Sequence, residues 1–435
     1  MPLFTRNSRS SLVFVVGLLA ASSLAVALDA AGRQWGYARA LAEAPDSNGA
    51  IDIAAQRALT HEEVHAARIA WAYFQSNTQP ETGWVDSVAG FPGATMWDQG
   101  SYLFALVSAW KLDLISANEF ANRATAILDA FDRMPLFDNQ LPNKAYHTQT
   151  LQMVDYDNTV VEGGIGWSAL DVARILLALR VLEARAPEFG DRVRRITAVW
   201  DLHAMTQKGE LWGKASGDGE ARYLQEGRLG YEQYGARAAA LWGQDVTEAI
   251  SARRALQWRD IGDVAVAIDT RDHRTFRAIT PILSEPYILQ GIELGLNSES
   301  AALAAQVYRA QVARYEDTGH WTMVSEDHID QAPHFLYNSV YGNGREWAVL
   351  TEDGVHHPDL RTVSVKATFG WNALYGTEYT AKLLSELMPL GNVEKGWPAG
   401  RYEHDGRVNE VYTLNTNAVV LEALHFKAHG PLLAR

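Results

Sequence analysis

The 435-residue sequence contains no cysteine. That absence excludes disulfide staples, thiolate nucleophiles and cysteine-ligated zinc. It also lacks any basic run, and its formal net charge is −14 at pH 7. Such a surface repels phosphate backbones, so no nucleic-acid partner is expected. A neutral polysaccharide would be indifferent to this charge. Strand signals are few, and strand and helix patterns do not alternate, which argues against a parallel α/β sheet. No Pro-, Ser- or charge-rich linker divides the chain after Thr60. With 47% apolar and 21% charged residues, the sequence is that of a globular protein long enough to bury a large core.

The apolar run from Leu12 to Leu24 is short for a membrane span. Arg6 and Arg9 precede it and Ala25-Val26-Ala27 follows, so residues 1–27 read as an export signal. The body is then expected to be periplasmic or secreted. A membrane enters only if that segment stays uncleaved as an anchor. Residues 28–59 read as a linker or N-terminal arm, and residues 60–435 as one catalytic domain.

What the body does contain is helical periodicity. Leu103, Leu106, Val107, Trp110 and Leu114 recur at helical spacing, as do Val172, Ile175, Leu176, Leu179 and Leu182. Further helices are expected over Glu62–Gln75, Ala117–Phe131, Phe189–Leu202, Ala301–Tyr315, Trp371–Met388 and Thr416–Phe426. Thr60 with Glu63 and Ser168 with Asp171 have capping-box spacing. Val264–Ile268 and Val363–Val365 read as short ladders. About a dozen helices in one block predict an all-α fold, an (α/α)6 toroid of inner and outer helices, with at most minor short strands at the rim.

Loops rich in acids and aromatics recur just before these helices. They include Trp97-Asp98-Gln99-Gly100-Ser101-Tyr102, Asp155-Tyr156-Asp157-Asn158, Tyr231-Glu232-Gln233-Tyr234 and Trp397-Pro398-Ala399-Gly400-Arg401-Tyr402. Aromatic faces pack on the C–H faces of sugars. Glycoside hydrolysis needs one protonated carboxyl group on the leaving oxygen and a second carboxylate as base or nucleophile. Glu232, between Tyr231 and Tyr234, is the first choice for the acid, because burial against rings would raise its pKa. Its plainer reading is an acid in the first turn of a helix. Glu226 is the alternative acid, and Asp98 and Asp157 are the preferred partners, although Asp98 also suits a helix cap. Glu285, Glu326 and Asp327 belong to the wider pool of acids. Trp97, Tyr102, Tyr156, Trp167, Tyr231, Trp397 and Tyr402 are candidate substrate platforms. Arg361 and Lys366 could bind sugar hydroxyls, or lock one loop to another. His61-Glu62-Glu63-Val64-His65 matches the H-E-x-x-H zinc pattern, but the Thr60 cap favours surface histidines on a helix start. Asp155, Asp157 and Glu162 are spaced unlike an EF-hand loop. No metal or other cofactor is expected.

The segments Trp97 to Leu103, Trp167 to Asp171 and Gly230 to Tyr234 resemble a bacterial family of exported proteins of unknown function. More distantly they resemble glucoamylase-like (α/α)6 domains, which include endo-β-1,2-glucanases and the chain-closing domain of cyclic β-1,2-glucan synthases. The resemblance implies a helical toroid and a glucan-type substrate, with Asp98 and Glu232 in the site. The sequence thus predicts a glycoside hydrolase or transglycosylase, endo-acting and inverting, on a β-glucan-like poly- or oligosaccharide. A non-catalytic glycan-binding scaffold and a polysaccharide lyase are the alternatives.

Overall fold

The computed structural model describes residues 50–217, 220–271, 273–276 and 278–433. The predicted export signal, and the predicted arm as far as residue 49, lie outside the described residues. Helix α1 (His61–Asn77) starts at the expected capping box, in which Thr60 and Glu63 each accept the other's backbone N–H. Helix α2 (Met96–Lys111) starts in the same way with Thr95 and Asp98. Ser116 caps α3 (Ala117–Arg133) and Ser168 caps α4 (Ala169–Arg185). There follow α5 (Gly190–Ala198), α6 (Tyr231–Ala240), α7 (Glu285–Leu289, continued by a π-helical turn Gln290–Leu294), α8 (Ser298–Thr318), α9 (Val365–Tyr375), α10 (Glu378–Leu387) and α11 (Leu414–His429).

Six of these helices close a cycle of packing contacts: α2 on α4, α4 on α6, α6 on α7, α7 on α9, α9 on α11, and α11 back on α2. Helices buried on every side must lie inside. Every residue of α9 is buried, as is Thr416–Phe426 of α11. Helices α3 and α10 instead bury one face and expose the other. Together with α1, α5 and α8 they pack onto the six. Between α6 and α7 a hairpin of Leu256–Ile261 and Val264–Asp269 takes the place of an outer helix and packs on α8.

The expectation of minor rim strands is corrected. Among the described residues the strands form several small antiparallel sheets. The longest strand, Glu210–Gly217, pairs with Gly166–Trp167, Thr206–Gln207 and Glu220–Gln225. Most strands span two to six residues, too short for a period of two to stand out from loop sequence. Short strands also run directly into inner helices, as Gly93–Thr95 does into α2 and Thr362–Ser364 into α9. The predicted helix Trp371–Met388 is two helices, α9 and α10, separated by Gly376 at φ 57. That left-handed geometry suits glycine and ends a helix. Helix α7 was not expected from the sequence. Among the described residues no helix is long and apolar enough to cross a membrane.

Candidate active site

The first turns of the six inner helices meet. On α2, Trp97 lies edge-on to Tyr231 of α6, with ring centroids 5.5 Å apart. Ser101 of α2 donates to Asn415 of α11 at 3.1 Å, and Asn415 donates to Glu285 of α7 at 2.8 Å. Lys366, in the first turn of α9, forms an ion pair with Glu285 and lies 3.6 Å from Asp327. Asp171 of α4 lies in the field of Asp98 of α2. Helix N-termini carry unpaired N–H groups and positive partial charge, so six of them meeting favours carboxylates between them.

One wall of the site carries Asp98, Asp171 and Glu226. Glu226 accepts from Ser168 Oγ at 2.9 Å and from the Leu170 N–H at 3.3 Å, so it caps α4. Burial pushes its pKa up, while Lys144 and these hydrogen bonds pull it down. Asp98 accepts the Thr95 N–H at 2.9 Å and its hydroxyl at 2.8 Å. Burial raises its pKa too, against those bonds and the charges of Arg174 and Lys366. Asp171 is the most perturbed of the three. Burial, then the negative charges of Glu226 and Asp98, push its carboxyl from 3.8 up to about 8. It is therefore a neutral acid at pH 7.

The facing wall comes from the strand Glu326–His328. Tyr231 donates its hydroxyl to Glu326. Burial raises Glu326 and takes Asp327 to about 7, and Lys366 opposes both shifts. Tyr337 lies in the fields of Glu326 on this wall and Asp171 on the other. Beneath the site, Arg174 sits 4.6 Å from the Trp97 ring centre. Its guanidinium donates to Tyr234 and Glu293, both at 2.7 Å, and lies 3.5 Å from Glu422. Burial and the Glu293 charge push the Glu422 carboxyl well above its ordinary range.

The structure thus brings together Asp98, Glu226, Trp97, Tyr231 and Lys366 of the sequence-predicted residues. Tyr156 stands exposed at the edge, within the field of Asp171 and Glu226. The structure places the other predicted residues outside this cluster. Glu232 follows Tyr231 by one helical step and turns away from Trp97. It is buried in an ion pair with Arg271 at 2.9 Å and accepts from Gln225 at 3.0 Å. Burial still raises its carboxyl to about 7, against Arg271. Asp157 is exposed on a turn that the Asp155 carboxylate closes by accepting the Asp157 and Thr159 N–H groups. Tyr102, Trp167, Trp397 and Tyr402 are buried and offer no face to a ligand. Tyr102 stacks on Phe74, Trp167 packs edge-on to Phe137, Trp397 donates to the Ala66 carbonyl at 3.0 Å, and Tyr402 donates to Asp330 at 2.7 Å. Arg361 pairs with Glu403 at 3.3 Å, locking loop to loop. His61 and His65 are exposed at the start of α1, and Glu63 between them pairs with Arg57 and Lys427. Among the described residues no group of three or more His, Asp or Glu has metal-site geometry.

Sequence reasoning missed Asp171 because Ser168 and Asp171 carry the spacing of a capping pair. The Ser168 side chain does accept the Asp171 N–H, at 3.2 Å. The return bond from the Ser168 N–H is not made, and Glu226 joins Ser168 in capping the helix, so the Asp171 carboxyl keeps only the Ser168 hydroxyl beside the charges of Glu226 and Asp98.

The chain belongs to the family described as a protein of unknown function, DUF3131, which it matches over residues 65–430. No curated protein matches it in sequence. Among solved structures it is similar to an endo-β-1,2-glucanase from Chitinophaga pinensis in complex with sophorotriose and glucose, at 10% identity and a TM-score of 0.60 over 86% of this chain and 94% of that one. It is also similar to a candidate glucoamylase from Bacteroides uniformis, at 10% identity and a TM-score of 0.62 over 87% and 94%. A third similar structure is an endo-β-1,2-glucanase from Talaromyces funiculosus in complex with sophorose, at 12% identity and a TM-score of 0.54 over 85% and 84%. At such identities the likeness establishes a common, predominantly helical fold.

Proposed function

We propose that this protein is a glycoside hydrolase, or a transglycosylase of the same chemistry, acting within β-glucan chains on an (α/α)6 toroid. The closed cycle of six inner helices supports the architecture. The observation that carries the chemistry is Asp171, a carboxyl group held neutral at pH 7 beside a second one, Asp98. Two carboxyl groups whose surroundings set different protonation states are what acid–base cleavage of a glycosidic bond requires. Asp98 accepts one backbone and one hydroxyl hydrogen bond from Thr95, and these, with the charges of Arg174 and Lys366, favour its ionised form against the burial that raises its pKa.

In this mechanism Asp171 gives its proton to the glycosidic oxygen as the C1–O bond breaks. A water molecule adds to C1 from the other side, and its proton passes to the Asp98 carboxylate. In transfer, a sugar hydroxyl replaces that water. Trp97 and Tyr231 offer ring edges to the sugar bound between the walls, and Tyr156 extends the platform at the rim. Glu226 acts through Asp171 by raising its pKa. The substrate class is supported by the fold shared with two endo-β-1,2-glucanases. A periplasmic address, reached through the export signal at residues 1–27, rests on the sequence alone.

The test is incubation with linear β-1,2-glucan and a panel of other bacterial glucans, followed by assay of new reducing ends and of cyclised or transferred products. Removal of a general acid typically lowers rate about 10²–10⁴-fold, so Asp171→Asn should lose activity on that scale. Proton NMR of the first product would show the inverted anomer. No product from any glucan, or an Asp171→Asn protein of full activity, would overturn the assignment.

A further inference from the structure

A second place on the molecule has the character of a saccharide site. Outside inner helix α9, a groove of about 500 Å3 runs between α8, α10 and the hairpin residue Val264. That volume falls in the usual range for ligand clefts. Tyr315 and Tyr379 line its wall, and Trp321, not itself in the lining, packs against both. Tyr315 stacks on Trp321 with centroids 4.3 Å apart, and Tyr379 lies 5.1 Å from Tyr315 and 5.5 Å from Trp321. Tyr315 and Trp321 keep part of their surface in solvent. The floor is Tyr308, which packs against Trp371 and Tyr375 of α9. That same helix carries Lys366 at its first turn and Tyr375 at its last, so α9 spans the distance, about 14 Å along its axis, between the candidate active site and the groove.

The rings are not the only feature. Arg309 lines the groove, and its Nη1 is buried without a hydrogen-bond partner. A buried N–H group left unpaired costs free energy, and an acceptor arriving in the groove would remove that cost. The rim carries both signs, with Glu316 exposed and Lys382 paired to Glu378 at 2.7 Å. An apolar, ring-lined cleft with a few fixed donors and acceptors fits a neutral chain of hydroxylated rings. Acidic rim groups and a net charge of −14 disfavour a polyanion.

We propose that this groove is a secondary glycan-binding site, which holds a neutral glucan chain on the outer face while another stretch of the polymer is processed between the walls of Asp98 and Glu326. The choice of glucan rests on the proposed function above. Polymer held at two places gains effective concentration at each, so the groove would serve long chains more than short ones.

The experiment uses linear β-1,2-glucan cast into native gels, with the full chain carrying Asp171→Asn so that nothing is cleaved. The parent should be retarded. Tyr315→Ala with Trp321→Ala should weaken retardation at least ten-fold, and Arg309→Gln, which leaves the rings in place, should weaken it several-fold with unchanged thermal unfolding. With the native Asp171 restored, the same groove substitutions should raise KM on the polymer while kcat on a short β-1,2-oligosaccharide stays the same. A parent that is not retarded, or an Arg309→Gln protein retarded like the parent, overturns the groove assignment. Cleavage is scored separately. Glucan hydrolysis with groove-independent retardation sinks only this inference, and groove-dependent retardation without hydrolysis sinks only the catalytic reading.

Discussion

Replacing Glu226 by Gln should move the alkaline limb of activity to lower pH. The substitution keeps the shape of the side chain, and a Gln carbonyl oxygen can still accept from Ser168 Oγ and the Leu170 N–H, bonds now 2.9 and 3.3 Å long. It removes only the charge. Asp171 lies about four pH units above its ordinary 3.8, roughly 6 kcal/mol in favour of the neutral form at 1.36 kcal/mol per unit. Burial is the largest cause, Glu226 the second and Asp98 the third, with Lys144 and Ser168 opposing. Glu226 therefore accounts for less than half, and about 1–2 units is the expected share for a neighbouring like charge. Since Asp171 must be protonated to act, activity in the parent should fall as pH rises through about 8, and in Glu226→Gln through about 6–7. The assay is kcat/KM against pH on β-1,2-glucan, because this ratio reports the free enzyme. Lys144→Met is the control of opposite sign, since Lys144 lowers Asp171 and its loss should move the limb up. An alkaline limb unmoved by Glu226→Gln, or moved upward, would refute Asp171 as the proton donor.

Asp171→Asn should gain stability as it loses activity. A carboxyl group with a raised folded-state pKa adds stability below its unfolded value and loses it as pH rises through the folded value. The Asn protein's advantage in stability should thus be small near pH 4 and grow towards pH 8, approaching the roughly 6 kcal/mol set by that shift; equal Tm curves at all pH would contradict the burial of this acid. Glu232→Gln should retain activity within about three-fold of the parent, because Glu232 faces Arg271 and not the site. Loss of turnover in a folded Glu232→Gln protein would return the acid role to Glu232. Lys366→Met leaves the buried carboxyl groups of Glu285 and Asp327 without their cation, a change that costs about 3–5 kcal/mol. Denaturant unfolding measures it, and an unchanged midpoint would mean that these ion pairs add nothing to stability.

The helices were legible because their apolar faces are long and their caps are local. Thr60 with Glu63 and the run from Val172 to Leu182 each fall within one element, and both appear as read. Helix α7 escaped notice because it has five α-helical residues and then widens into a π turn, giving no sustained 3.6 period. At the site, Trp97, Asp98 and Tyr231 stood out because each sits at a helix start beside an aromatic or acidic neighbour, and Lys366 because its segment joins Arg361 to Phe369 and Trp371. Glu232 misled for a geometric reason. Adjacent residues on a helix point about 100° apart, so Tyr231 reaches Trp97 while Glu232 reaches Arg271. Composition cannot tell which of two neighbours faces inward. The buried Trp167 and Trp397 misled in the other direction, since a ring beside glycine and acids reads alike whether it lines a cleft or fills a gap.

Most of the polar groups beneath the site have no part in bond breaking, yet they bear on it. Arg174, Tyr234, Glu293 and Glu422 come from three inner helices and the π turn, and all are buried. A hydrophobic substitute would often match a buried ion pair in stability, so stability alone is a weak reason for such a column. Its geometry suggests another. Arg174 holds Ser101 at 2.9 Å and lies against the Trp97 ring, while Ser101 reaches Asn415 and through it Glu285. The column ties four inner helices to the residues that flank Asp98. The π turn places Glu293 where both its oxygens meet partners, Arg174 at 2.7 Å and Tyr234 at 2.6 Å. An unbroken α-helix would rotate that side chain out of reach, and π turns often mark such positions. The irregular turn that hid α7 in the sequence is thus what lets the fold brace its acidic centre from below.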